Sequence, residues 1–369
     1  MSLRVFVVDD SVLFRRVISD ALSSIPGVEV IGNAANGKLA LQRIGTLKPD
    51  LLTLDIEMPE MDGLAVLDAL SSMGVEMSVL VVSALTQRGG QLTMKALEKG
   101  AFDFITKPEG ASPEESRDLI VKELAPRLRA VMHRAEIRSL LRTTAGRQTP
   151  AAPASVSPQP EIIAQRSGLL PLTWRPAMIL VGVSTGGPNA LTQVLPSIPG
   201  DLGVPLFIVQ HMPPLFTQSL ADSLAAKCEI GVKEAAPQEL AEPGIAYIAP
   251  GGKQMRIRPA PEGRIEIEIT NDPPENNCRP SVDYLFRSAS NHFAGRAMAV
   301  ILTGMGSDGT LGLRLLKRNG CFVVAQNEAS CVVYGMPKAA VDAGVVDVIS
   351  PLGAVAAEIV RATRGTSGT

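Results

Sequence analysis

Two α/β domains in tandem, each a parallel sheet wound with helices on both faces, are predicted from three features of the sequence. Short apolar runs alternate with segments of helical period from Leu3 to about Leu124, the alternation stops across a stretch rich in Pro, Ala, Ser and Thr, and it resumes at Ala177. Strands that alternate with helices are joined by crossovers, and crossovers give a parallel sheet covered on both faces. At 369 residues the chain is long enough for two cores, because one domain usually takes roughly 100–200 residues. The expected divisions are a first domain over residues 1–124, a linker over 125–175 and a second domain over 176–369.

In the first domain the strand candidates are Arg4–Val8, Val28–Ala34, Leu51–Leu54, Val79–Val82 and Phe102–Ile105. Ser11–Ser24, Gly37–Leu47 and Gln87–Lys99 carry apolar residues at three- and four-residue steps and read as helices. Beyond Leu124 the pattern fails. A helix-like piece bearing Arg127, Arg129, Arg134, Arg138 and Arg142 reads as a solvated face, and Pro150, Pro153, Pro158 and Pro160 follow it in linker composition.

The second domain has strand candidates at Met178–Val183, Leu206–Gln210, Ala246–Ile248, Ala297–Leu302, Phe322–Ala325 and Val345–Ile349. Asn189–Val194, Phe216–Ala226, Val282–Asn291 and Leu311–Arg318 have helical period. Arg264–Thr270 alternates Ile with charged residues, the signature of a half-exposed antiparallel or edge strand, so an antiparallel insertion is expected here.

The formal net charge of −2 leaves no basic footprint for nucleic acid. Cys228, Cys278, Cys321 and Cys331 show neither C-x-x-C spacing nor a neighbouring His cluster and read as reduced thiols. The chain enters a strand pattern at once, without a basic leader and apolar cleavage segment, and no apolar run reaches the roughly 18–20 residues of a membrane span. A cytoplasmic protein without direct membrane insertion is expected.

In an open parallel sheet, ligands bind beyond the carboxyl ends of the strands. There the first domain places Asp9 and Asp10 after its first apolar run, Asp55 after the third, Ser83 after the fourth and Lys107-Pro108 after the fifth. Three carboxylates at one end repel unless a divalent cation lies among them, and oxygen ligands suit Mg²⁺, which also neutralises a phosphoryl group. Lys107 adds positive charge, and the Ser83 hydroxyl can hydrogen-bond a phosphoryl oxygen. Taken singly, Asp9 and Asp10 could merely cap the following helix and Asp55 could be a loop residue.

With Met58-Pro59 and Asp62-Gly63 after the third strand, residues 1–124 resemble the receiver domain of two-component response regulators, a flavodoxin-like fold. The resemblance implies Asp55 as phosphoryl acceptor, Mg²⁺ held by Asp9, Asp10 and Asp55, and a signal carried by Ser83 and Lys107. It also implies a sensor histidine kinase as phosphodonor and a cis Lys107–Pro108 bond.

In the second domain a strand runs into Gly182-Val183-Ser184-Thr185-Gly186-Gly187-Pro188 and a helix follows. This is G-x-S-x-G in the strand–turn–helix context that lifts a serine hydroxyl out of a sheet. A serine needs a base and an orienting acid. Of the three His, His133 falls in the linker and His292 at a helix end, whereas His211 directly follows a strand. Asp308 lies in the Gly-rich turn Thr303–Gly309 after another strand. Three strand ends thus offer Ser, His and Asp to one rim, as a Ser-His-Asp triad requires. The loop could instead hold a phosphate at the helix N-terminus, His211 could be a packed residue and Asp308 a helix cap. The order Ser…His…Asp is not that of the usual α/β-hydrolases.

This half resembles the CheB-type protein-glutamate methylesterases of bacterial chemotaxis, through Gly182–Pro188, Gln210-His211-Met212-Pro213, Ala249-Pro250-Gly251-Gly252, Arg279-Pro280-Ser281-Val282-Asp283, Leu302–Gly309 and Tyr334-Gly335-Met336-Pro337. The resemblance implies Ser184 as nucleophile, His211 as general base, Asp308 as its orienter and backbone at Met305 as oxyanion donor. Thr185 N–H, one residue past the nucleophile, is a second oxyanion candidate. The implied substrates are methyl-accepting chemotaxis receptors, with glutamine deamidation as a second activity and no cofactor in this domain. Family members commonly carry His where this chain has Cys278; with no strand-end His expected beside it, Cys278 is not read as a nucleophile. The same chemistry in a non-chemotaxis receptor pathway, a receiver-linked module binding a phospho-ligand, and a DNA-binding response regulator remain as alternatives.

Overall fold

The computed structural model describes residues 2–75, 77–108, 110, 112–145, 165–166 and 174–364. Pro150, Pro153, Pro158 and Pro160 of the expected linker lie outside these residues, as do the side chains of His133, Arg134, Arg138 and Arg142. The chain forms two compact bodies.

The first body is drawn from residues 2–145, which form β1 (Leu3–Val8), α1 (Val12–Ser23), β2 (Val28–Ala34), α2 (Gly37–Leu47), β3 (Leu51–Asp55), α3 (Gly63–Ser72), β4 (Ser78–Ser83), α4 (Gln87–Glu98), β5 (Asp103–Thr106) and α5 (Pro113–Ala145). Its sheet is parallel throughout, in the order β2-β1-β3-β4-β5. The strand order reverses between β1 and β3, so the crevice that a doubly wound sheet offers to ligands opens beside Asp9 and Asp55. Helix starts follow from local polar side chains: Ser11 Oγ accepts from Phe14 N at 3.3 Å, Asn36 Oδ1 from Leu39 N at 2.9 Å and Asp62 Oδ1 from Ala65 N at 2.8 Å. Because Ser11 caps α1, Asp9 and Asp10 are not needed for that purpose.

Helix α5 does not stop at residue 124. Leu128 is buried with Ile120 and Leu124 in the core that α1 supplies with Val17, Ile18 and Leu22. Arg127, expected on a solvated face, instead donates from Nε to the buried Asp103 carboxylate at 2.9 Å. Pro126 hides this continuity in the sequence. It removes one helical N–H without ending the helix, because the apolar residues on either side are held in the core.

The second body contains β6 (Gln165–Arg166), β7 (Met178–Val183), α6 (Gly187–Val194), β8 (Leu206–Gln210), α7 (Phe216–Ala225), β9 (Gly231–Glu234), β10 (Glu239–Ala241), β11 (Ile245–Ile248), β12 (Gln254–Pro259), β13 (Ile265–Thr270), α8 (Val282–His292), β14 (Ala297–Ile301), α9 (Thr310–Arg318), β15 (Phe322–Gln326), α10 (Met336–Asp342), β16 (Val348–Ser350) and α11 (Leu352–Arg364). The main sheet has the order β6-β16-β15-β14-β7-β8-β11-β9, parallel except for the short edge strand β6. From β7 the chain winds outward through β8 and β11; from β14 it winds the other way through β15 and β16. The switch point therefore lies between β7 and β14.

The expected antiparallel insertion is a three-stranded sheet, β10-β13-β12. Strand β13 turns Ile265 and Ile267 into the core and pairs its glutamates across the strand, Glu268 with Arg256 and Glu266 with Arg258. Strands β6, β9, β10 and β12 were not anticipated; β6, β9 and β10 have four residues or fewer, and β12 carries its apolar alternation on only two residues, Met255 and Ile257.

Candidate active site

Ser184 follows β7 directly, and its backbone is fixed from both sides: Ser184 N–H donates to Thr303 O at 3.0 Å, and Gly187 N–H donates to Ser184 O at 2.7 Å. The turn requires Gly186 at φ +75°, where a Cβ would meet Val332 at 2.6 Å. Gln210 Nε2 donates to Ser184 O at 3.0 Å.

His211 stands at the end of β8, its N–H donating to Val183 O at 3.2 Å. Its Nε2 lies 2.8 Å from Asp308 Oδ2. Asp308 is buried, yet it does not cap the helix that follows it, since the cap of α9 is Gly309. Its carboxylate instead crosses to the start of α8, accepting from Val282 N at 2.7 Å, Asp283 N at 3.1 Å and Ser281 Oγ at 2.9 Å. Asn276 Nδ2 donates to it at 2.8 Å, and Gly309 N at 3.1 Å. Burial opposes the charge, but His211 and these donors outweigh it and lower the Asp308 carboxyl to about 2. Burial likewise opposes charge on His211; the bonds to Asp308 and then Cys278 overcome it and raise the imidazole to about 9.

Ser184 and His211 share this rim, but Ser184 Oγ has no hydrogen-bond partner among the described residues. The nitrogen that His211 leaves free of Asp308 is Nδ1, and it lies 3.7 Å from Cys278 Sγ. The expectation that no strand-end His stands beside Cys278 is therefore corrected: the Glu275–Cys278 turn folds back across the ends of the strands and brings the thiol to His211. The donor atoms of His211, Cys278 and Asp308 lie within 4.8 Å of one another. Both Asp308 oxygens are already taken by hydrogen-bond donors, which fits an orienting carboxylate better than a metal ligand.

The Thr303–Gly309 turn lies against the serine, for a Cβ on Gly304 would fall 2.8 Å from Ser184 Cβ. Thr303 Oγ1 donates to Thr185 O at 3.0 Å and fixes that peptide. Among the described residues neither Thr185 N–H nor Met305 N–H donates to an internal acceptor. Asn276, Ser281 and Gln210 are supporting residues whose roles sequence reasoning missed. Ser281 and Gln210 stand in motifs already noticed, whereas Asn276, at φ +53°, carried no signal beyond the tolerance of Asn for that conformation.

In the first body, Lys107 Nζ lies 2.7 Å from Asp55 Oδ2 and 2.8 Å from Asp9 Oδ2. Asp9 and Asp55 are buried and Asp10 is exposed, and one carboxylate oxygen from each falls within 4.8 Å of the others. Burial outweighs Lys107 and raises both buried carboxyls, Asp55 to about 6. Carboxylates that one ammonium does not fully compensate suit a divalent cation. Ser83 is buried at the end of β4, and its carbonyl accepts from Lys107 N at 2.8 Å. The Lys107–Pro108 bond is trans, not cis as the resemblance implied; from this backbone Lys107 already reaches both carboxylates.

A serine on a strand-to-helix turn at the switch point of an α/β sheet, next to a His–Asp pair, defines a body of the serine-hydrolase class, joined here to a receiver body. Two family models match these bodies separately: the response regulator receiver domain over residues 5–117 and the CheB methylesterase over residues 179–359. A protein-glutamate methylesterase/protein-glutamine glutaminase of Desulfotalea psychrophila is 50% identical over 98% of this chain and 99% of its own length. One of the same description from Halalkalibacterium halodurans is 43% identical over 97% of this chain and 98% of its own. The crystal structure of the Thermotoga maritima CheB methylesterase catalytic domain is 38% identical, with a TM-score of 0.49, and covers 50% of this chain and 98% of that one. The chain belongs to the receiver-linked CheB methylesterase family.

Proposed function

We propose that the chain hydrolyses glutamate γ-methyl esters on methyl-accepting chemotaxis receptors, and deamidates receptor glutamines, in sensory adaptation. The observation that carries this reading is the His211–Asp308 pair beside the Ser184 turn, in a chain matched from end to end by relatives of that description. Ser184 Oγ attacks the γ-carbonyl, His211 takes its proton and passes it to methanol, and water clears the acyl-enzyme by the reverse relay. Thr185 N–H and Met305 N–H receive the oxyanion. Methanol release from methylated receptor membranes tests the reading; none released by the folded protein would refute it.

The proton relay has a pH signature. His211 must be neutral to accept a proton, and Asp308 holds its charged form upward to about 9. Activity should rise with pH along a limb above the ordinary imidazole value of about 6.5. Asp308→Asn should move that limb downward. A limb in the same place in both proteins would remove Asp308 from contact with the base.

In the receiver, Asp55 accepts the phosphoryl group from a sensor histidine kinase. Asp9, Asp10 and Asp55 would hold Mg²⁺, which neutralises charge on that group. Ser83 and Lys107 read the modified Asp55. The protein works in the cytoplasm; no helix among the described residues is long and apolar enough to cross a membrane.

The receiver restrains hydrolysis until Asp55 is modified, a shift that need involve only about 1–3 kcal/mol, roughly 5–150-fold in the active population. Removing the residues before Arg175 should raise basal activity, and Asp55→Asn should leave the full chain slow and unresponsive to a small-molecule phosphodonor. If the folded second body alone were no faster than the unmodified chain, simple restraint would be wrong.

A further inference from the structure

Cys278 faces the only nitrogen of His211 that Asp308 does not occupy. We propose that Cys278 is a peroxide-reactive thiol whose reversible oxidation withdraws His211 from Ser184 and switches hydrolysis off. The inference rests on the reading of His211 as the base for Ser184.

The four thiols differ in their surroundings. Cys321 and Cys331 are buried, and burial pushes both upward, Cys331 to about 12; Cys228 is half-buried and pushed to about 11, again by burial. Among the described residues none of these three thiols hydrogen-bonds an imidazole. Cys278 is half-buried, with Sγ 3.7 Å from His211 Nδ1, while Nε2 of the same ring is held 2.8 Å from the Asp308 carboxylate. At that distance a carboxylate-backed imidazole is placed to accept the thiol proton as the sulfur attacks, so that the reacting form is the thiolate. Cys278, His211 and Asp308 thus form a thiol-bearing counterpart of the serine relay, built on the same base.

In the oxidation, the thiolate sulfur attacks one oxygen of a hydroperoxide; the S–O bond forms, the O–O bond breaks, and two electrons pass from sulfur to the leaving oxygen. That oxygen departs as hydroxide, or alkoxide from an organic peroxide, and takes up a proton. Cys278 is left as the sulfenic acid. The new hydroxyl lies toward Nδ1 and occupies the nitrogen to which Ser184 must hand its proton. A small thiol reverses the change: its sulfur displaces water from the sulfenic acid to give a mixed disulfide, and a second thiol attacks that disulfide and frees Cys278.

The test uses the full-length protein with hydrogen peroxide, dimedone and dithiothreitol. Treatment should place a dimedone adduct on the Cys278 peptide and abolish methanol release, and dithiothreitol added to peroxide-treated protein without dimedone should restore it. Restoration separates the thiol from oxidation of the exposed Met305, because methionine sulfoxide is not reduced by this thiol under mild conditions. Cys278→Ser and Cys278→His should each keep their own untreated rate in peroxide. With iodoacetamide at pH 7, Cys278 should react roughly tenfold faster than Cys228, and His211→Gln should erase that difference. Labelling does not depend on hydrolysis: Ser184→Ala should label at Cys278 as the unmodified chain does, and a Ser184→Ala protein that still released methanol would sink the active-site reading, not the thiol. Faster labelling at Cys228, or peroxide inactivation of Cys278→Ser in step with the parent chain, overturns the inference.

Discussion

Ser184→Ala is expected to lower methanol release by about 10⁴-fold or more while leaving the protein folded, the loss seen when a triad nucleophile is deleted. The turn that carries Ser184 is held by its backbone, through Thr303 O, Gly187 N–H and the Gln210 amide, and none of these bonds uses the hydroxyl. Removing Oγ therefore takes away the attacking atom without disturbing its support. Urea unfolding should give the same midpoint for both proteins to within a few tenths of a molar unit, as expected for a change without a buried partner. Release at the parent rate would transfer the nucleophile to another group. Cys278 would be first in line, because it faces the same imidazole, and Cys278→Ser would then be the inactive protein. On the present reading Cys278→Ser still hydrolyses ester.

Asp308→Asn is expected to act on both rate and stability. The rate should fall by about 10⁴-fold, the loss seen when a triad acid becomes an amide and the imidazole tautomer is no longer held. Unlike the serine, Asp308 also ties together structure: it accepts from the first turn of α8, from Ser281, from Asn276 and from His211. An amide has one acceptor oxygen where the carboxylate had two, so buried donors lose partners, at a cost of about 1–3 kcal/mol. The pH dependence of this deficit follows from the two shifts. The lowered carboxyl contributes stability above its ordinary value near 3.8 that is lost as pH falls through about 2, and the raised imidazole contributes below 6.5 what is lost as pH rises through about 9. The deficit should thus be largest between about pH 4 and 6.5 and shrink toward pH 9. Denaturant melts across that range would show it; a deficit independent of pH would mean that the His211–Asp308 bond adds nothing to stability.

The positions of Ser184, His211, Asp308, Asp9, Asp55, Ser83 and Lys107 were legible because each follows a strongly apolar run, Asp308 across the Gly-rich turn Thr303–Gly309, and a parallel sheet turns sequence order at strand ends into proximity. What each side chain does with its second partner was not legible. Asp308, read as the orienting acid, could equally have capped its own helix, and only the fold shows it serving α8 as well. Cys278 looked isolated because the segment that carries it belongs to no strand, and the turn that returns it to His211 has no periodicity to read. Arg127 looked solvated because its partner Asp103 lies on a strand 24 positions earlier. The first domain looked finished at about 124 because the apolar alternation fails there, and the contacts that carry α5 onward past Pro126 are long-range.

The winding of the second sheet also bears on the order in which the protein emerges from the ribosome. Strand β7 is flanked by β8 on one side and by β14 on the other, and β14 is synthesised more than a hundred residues after β7. At translation rates of about 5–20 residues per second, the far edge of β7 waits on the order of ten seconds for its partner. Throughout that interval the nascent chain exposes an apolar, unpaired strand edge bearing Ser184 at its tip. His211 can be in place, but Asp308 and the turn that backs the serine have not been made. The unfinished domain is therefore inert toward esters and at its most prone to associate with other chains, so a chaperone that shields strand edges would have its chief work here before β14 closes the gap.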